Sequence, residues 1–182
     1  MLESDTNRMT GETETRHLTI RGREFRFYVP KTLDSFVDPE DVFRDFPLWA
    51  KIWEASIILA DHLAGMSPEP GKRFLEIGAG LGVVGVVAAA FGHRMTVTEI
   101  NPDAVRFARA NAKLNLHAGE SLPEMKRLDW NRPGSEQAYD YIVGNQHGVF
   151  QGNGEGLPAE VRKKNPAFKN GGHIRHSLPY AA

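Results

Sequence analysis

Along the middle of the chain, short apolar runs alternate with amphipathic stretches. Residues 74–77 predict a strand, 81–91 a helix, 95–100 a strand and 103–115 a second helix. Asn101-Pro102 is a good opening for that second helix, because asparagine caps free amides and proline fits the first turn. Residues 125–128 and 139–143 predict further strands. This succession argues for an α/β fold, a Rossmann-like parallel sheet flanked by helices. Upstream, residues 18–20 and 25–29 alternate in polarity around Gly22, which predicts a β-hairpin ending at Pro30. Residues 31–47 read as an acidic loop or short helix. Ile52, Ser56, Leu59 and Leu63 form one stripe of a helix starting at Leu48, with Gly65 placed to cap it. Residues 1–16 carry few apolar side chains and are predicted to be disordered. Residues 17–182 then form a single domain, in which 146–182 are atypical: QGNGEG and KKNPAFKNGG break the pattern, and only a helix at 158–164 and a strand at 172–178 are expected.

Composition narrows the class. The 182 residues are enough for one sizeable core, and 41% hydrophobic with 25% charged residues is ordinary for a globular protein. Twenty-two Lys and Arg against 23 Asp and Glu leave a net charge of −1, so no strong nucleic-acid signal is present. No run reaches the eighteen or so unbroken apolar residues of a membrane-spanning helix, and the polar start is unlike a signal peptide. The absence of cysteine excludes disulfides, a thiol nucleophile and thiolate metal ligation. The seven histidines show no ligand constellation, and no metal is expected. A cytoplasmic location is the expectation. The oligomeric state is left open.

Candidate chemistry centres on residues 74–85, FLEIGAGLGVVG, where a strand enters a glycine-rich turn and then a helix. Such a turn lets a ligand approach backbone with no Cβ in the way. Two readings compete. Gly80-x-Gly82-x-x-Gly85 matches the dinucleotide fingerprint, with Glu99 about twenty residues on. Glu76-x-Gly78-x-Gly80-x-Gly82 instead puts a carboxylate at the end of a buried strand, where it needs a partner. A ligand carrying an ammonium and a sulfonium supplies positive charge there, whereas a dinucleotide brings phosphates. S-adenosylmethionine (SAM) meets that requirement, and Glu99 at the end of the next strand can accept its ribose hydroxyls.

LEIGAGLGVVG, VTEINPDAV, LDW and YDYIVG, in that order, resemble the successive motifs of class I SAM-dependent methyltransferases. The preceding WAKIWEASIILADHL resembles the helix before the first motif in the lysine-methyltransferase-like group, methyltransferase family 16. The resemblance covers roughly residues 25–145 and implies SAM as cofactor and a protein lysine or another amine, including a small-molecule one, as methyl acceptor. Carried onto this chain, it implies cofactor contacts from Trp53, Glu76, Gly78, Ala79, Gly80, Gly82, Glu99, Asp129, Trp130 and Asn145. Asp129 would meet the adenine amine, Trp130 would offer the ring a flat wall, and Trp53 would lie near the cofactor. Trp49 reads as packing. Four of these positions fall at the ends of successive strands, the edge where open α/β sheets hold their ligands.

No catalytic group is identified beyond the candidates Asn145 and Gln146. Related protein methyltransferases carry an acid and, three residues on, a tyrosine after the fourth strand. This chain has Gln146-His147-Gly148-Val149 there. Glutamine can bond an amine but supplies no charge. A catalytically impaired SAM-binding relative with a truncated or altered C-terminus is therefore the alternative expectation. Its sheet would lack the family's closing hairpin and expose an edge prone to association. A dinucleotide-binding oxidoreductase comes third, because no acid–base set for hydride transfer is recognisable.

Overall fold

A computed structural model describes residues 12–41, 46–129 and 139–144. The chain opens with an antiparallel hairpin of β1 (Thr13–Ile20) and β2 (Arg23–Pro30), with Ile20 opposite Arg23. Its two-residue loop, Arg21-Gly22, has φ of 51° and 78°, the backbone of the tight turn whose twist suits a hairpin. Alternate residues Phe25, Phe27 and Val29 enter the core. β1 starts well before the expected boundary, so residues 13–16 are strand rather than disordered. Their order comes from backbone pairing: Thr13 faces Pro30 and Glu14 faces Val29, with little apolar burial required.

The helix expected from Leu48 is split. A single 3-10 turn, Leu48–Ala50, is followed by extended backbone and then α1 (Glu54–Ala64). Trp53 caps α1 in a β conformation and turns its indole back, donating from Nε1 to the Leu48 carbonyl at 2.9 Å. Gly65 does cap the helix, its N–H donating to the carbonyls of Asp61 and His62.

β3 (Arg73–Ile77), β4 (Arg94–Glu99), β5 (Glu124–Arg127) and β6 (Tyr141–Val143) form a parallel sheet in the order β5-β4-β3-β6. β6 starts two residues later than expected; just before it, the Asp140 carboxylate accepts from the Arg73 N–H at 2.9 Å and pairs with Lys72. α2 (Val83–Ala90) is buried from Val83 to Ala89, as befits a helix apolar on every side. α3 (Pro102–Asn115) begins as expected, the Asn101 side chain accepting from the Asp103 and Ala104 N–H groups. The core joins α1, α2, α3, the sheet and the inner face of the hairpin in one cluster. The sheet grows from β3 towards β4 on one side and β6 on the other. Such a reversal opens a crevice at the carboxyl ends of the strands. The expected elements at 158–164 and 172–178 lie outside the described residues.

Candidate functional site

The crevice is a cavity of about 540 Å³, within the range of small-molecule sites. Its floor is the glycine turn at Gly78, Ala79, Gly80 and Leu81, and its rim includes Phe46, Leu48 and Ile100, each nearly half exposed. The turn runs through three glycines in the left-handed region, Gly78, Gly80 and Gly82, at φ 62°, 54° and 77°. At Gly82 a side chain is excluded twice, since a Cβ would also sit 2.9 Å from the Ala108 Cβ of α3. The Gly82 N–H closes the turn on the Ala79 carbonyl, while Gly82 itself stands behind the cavity wall.

Glu99 reaches the cavity from the end of β4. Its Oε2 accepts from the Gly80 N–H at 2.9 Å, and its Oε1 accepts from the N–H groups of Ile100 at 2.7 Å and Asn101 at 3.0 Å. A carboxylate offers about four acceptor positions. Three of them are filled by these backbone N–H groups, which hold the chain in shape.

Glu76 lies elsewhere than expected. It is 2% exposed and is not part of the cavity wall. The pleat of β3 turns it towards α2, into the space that Gly85 leaves by having no side chain: a Cβ there would lie 2.6 Å from Glu76 Oε2 and 2.2 Å from Val97 Cγ2. Burial pushes the carboxyl up to about 8, opposed by a hydrogen bond from the Gly85 N–H and reinforced by the nearby Glu99 charge. Glu76 is therefore mostly a neutral acid at pH 7, and its Oε2 has no partner among the described residues. The structure thus places this carboxyl in a buried position behind the turn and not on the cavity wall.

Trp53 lines the cavity, with the Lys51 ammonium 4.6 Å from its ring centre. Trp49 does more than pack. It stacks edge-on against Phe36, yet it also lines the cavity, and its carbonyl lies 3.0 Å from where a Gly80 Cβ would be. Asp129 is half-buried and outside the wall. Its neighbour Leu128 lines the wall and donates its N–H to the Glu99 carbonyl at 2.9 Å. Trp130, Asn145 and Gln146 lie outside the described residues. Phe46, Leu48, Lys51 and Ile100 were missed by sequence reasoning. Their side chains carry no motif, and the first three lie in or beside the 3-10 turn and extended backbone that replace the expected start of the helix.

Residues 47–146 match the family model described as lysine methyltransferase. The protein N-lysine methyltransferase METTL21A of Danio rerio is 35% identical over 100 residues, covering 52% of this chain and 45% of that protein. EEF1A lysine methyltransferase 3 of Mus musculus is 34% identical over 101 residues, 52% of this chain and 41% of that protein. The chain thus spans about half the length of the curated relatives it matches. Among solved structures, the Pyrococcus abyssi tRNA (uracil-54, C5)-methyltransferase in complex with S-adenosyl-L-homocysteine shares the fold at a TM-score of 0.51 and 15% identity, covering 83% of this chain and 31% of that one. The T. Thermophilus 16S rRNA N2 G1207 methyltransferase (RsmC) in complex with AdoMet and guanosine gives 0.51 and 18%, with 84% and 39% covered.

Proposed function

The chain belongs to the lysine methyltransferase family, within the class I SAM-dependent methyltransferases, and we propose that it transfers a methyl group from SAM to a lysine side chain of a protein. The observation that carries this reading is the cavity at the sheet's reversal point, floored by the glycine turn and held by Glu99. The fit to the cofactor is good on three counts. The turn at Gly78–Gly80 lines the cavity floor, Glu99 reaches the same floor with a carboxylate able to accept from a ribose hydroxyl, and Trp53 offers a flat apolar wall. Asp129 and Trp130, directly after Leu128, are proposed to border the adenine.

When bound, SAM supplies a methyl group already activated for displacement by its sulfonium. The protein's task is then alignment and control of solvent. The turn and Glu99 fix the donor side. Phe46, Leu48 and Ile100 at the rim are suited to the aliphatic stem of a lysine, and an apolar surround favours its neutral, nucleophilic amine over the ammonium. Gly144, next after β6, packs beside the Ile77 carbonyl at the start of the turn. That neighbourhood supports placing the acceptor near Asn145 and Gln146, the residues that follow.

The test is a methyl-transfer assay with radiolabelled SAM on cell extract, beside calorimetric titration with S-adenosylhomocysteine. Label in protein lysine, abolished by Glu99→Ala, is the expected result. Binding without transfer would identify the impaired relative instead, and no binding at all would overturn the cofactor assignment.

A further inference from the structure

Two asparagines one turn apart on α3 grip the hairpin as a neighbouring strand would. Asn115 Oδ1 accepts from the Arg26 N–H at 2.8 Å and its Nδ2 donates to the Arg26 carbonyl at 2.6 Å. Asn111 Oδ1 accepts from the Tyr28 N–H at 2.7 Å and its Nδ2 donates to the Tyr28 carbonyl at 3.2 Å. The remaining Nδ2 hydrogen separates them. That of Asn115 stays on its own helix, on the Asn111 carbonyl at 2.8 Å. That of Asn111 reaches the Leu81 carbonyl at 3.0 Å, in the turn that floors the cavity.

Resting on the reading of that cavity as the SAM site, we propose that Asn111 is a positioning residue for the cofactor turn, through which the N-terminal hairpin takes part in cofactor binding. Asn111 is fully buried, and its Oδ1 and both Nδ2 hydrogens are engaged. The turn is consequently held from two directions, by Glu99 at the Gly80 N–H and by Asn111 at the Leu81 carbonyl, one residue apart. Without the amide, the Leu81 carbonyl loses its buried donor, and the backbone must shift to recover one. A shift there moves the cavity floor. Since Asn111 also holds Tyr28, the coupling runs both ways: a ligand that orders the turn must also tighten the hairpin at Tyr28.

Asn115 provides a matched control, with the same kind of hairpin bonds and none to the turn. The experiment is calorimetric titration of S-adenosylhomocysteine into the wild-type chain, Asn111→Leu and Asn115→Leu, with Tm recorded for each. Failure of the wild type to bind would overturn the reading of the cavity itself. With wild-type binding established, Asn111→Leu is expected to raise Kd about tenfold or more and Asn115→Leu less than about twofold, although both lower Tm. Equal losses, or unchanged affinity in a folded Asn111→Leu, would overturn the positioning role. Amide hydrogen exchange on the wild type decides the matter if Asn111→Leu does not fold. Saturating ligand is expected to slow the Tyr28 amide severalfold more than the Arg26 amide, and equal protection of the two would refute the coupling.

Discussion

Glu76 and Glu99 end adjacent strands, and the fold treats them oppositely. Glu99 holds three backbone N–H groups beside the cavity, whereas Glu76 is sealed behind the turn with one oxygen unpartnered among the described residues. Glu99→Ala should therefore remove both a ligand contact and the brace of the turn, weakening S-adenosylhomocysteine about tenfold or more in calorimetry. Unchanged affinity would take Glu99 out of the site. For Glu76 the expectation concerns pH. Its folded value of about 8 stands above the ordinary 4.5, so between these limits the folded chain keeps a proton that the unfolded chain releases. The stability this group contributes is present at low pH and is lost as pH rises through the window, by at most about 1.4 kcal/mol per unit. Glu76→Gln, which imitates the neutral acid, should flatten that dependence and raise Tm relative to wild type above pH 8. Thermal melts from pH 5 to 9 check this, and parallel pH profiles for the two proteins would refute the assignment. Both acids were legible in the sequence as strand-end carboxylates. Which of them lines the cavity was not, because that depends on the pleat of β3 and on the room that Gly85 leaves.

At the scale of elements, α2 sits on the sheet at a distance set by Gly85. Alanine usually stabilises a helix interior relative to glycine. Here its Cβ would intrude on Val97 and Glu76, so Gly85→Ala should destabilise by about 1–3 kcal/mol, as overpacking does. Urea unfolding measures it, and a stabilised variant would show that the helix can lift away freely. The hydrophobic periods gave α2, α3 and the four strands nearly as they stand, because apolar runs bounded by turn residues decide those elements locally. The break before α1 was hidden for the opposite reason. Residues 48–59 keep a helical stripe, yet the Trp53 indole bonds the Leu48 carbonyl and the Trp49 backbone meets Gly80, contacts made only in the assembled fold. Likewise Asn111 and Asn115 show as two polar positions one helical turn apart, and nothing in the sequence names β2 as their partner.

Across the whole described molecule, the hairpin is tied to the α/β core at separate points on three helices. Arg21 forks onto Asp61 of α1 at 2.9 and 3.0 Å. Arg23 donates to the last carbonyls of α2 and α3, at Ala90 and Asn115, and pairs with Glu120, whose carboxyl it holds down near 2. The two asparagines of α3 complete the attachment, and Phe25 and Phe27 are wholly buried in the shared cluster. Elements joined this way open together, because freeing one exposes core and orphans polar groups in the other. Hairpin and sheet should accordingly melt in one transition, with far-ultraviolet dichroism and tryptophan fluorescence giving the same midpoint. A ligand seated in the crevice then stabilises the whole unit. S-adenosylhomocysteine at a hundred times its Kd adds about 2.7 kcal/mol, which for a chain of this size raises Tm by roughly 5–10 °C. Two separated transitions, only the later one shifted by ligand, would mean that the hairpin is an independent appendage whose contacts with α3 carry no coupling to the glycine turn.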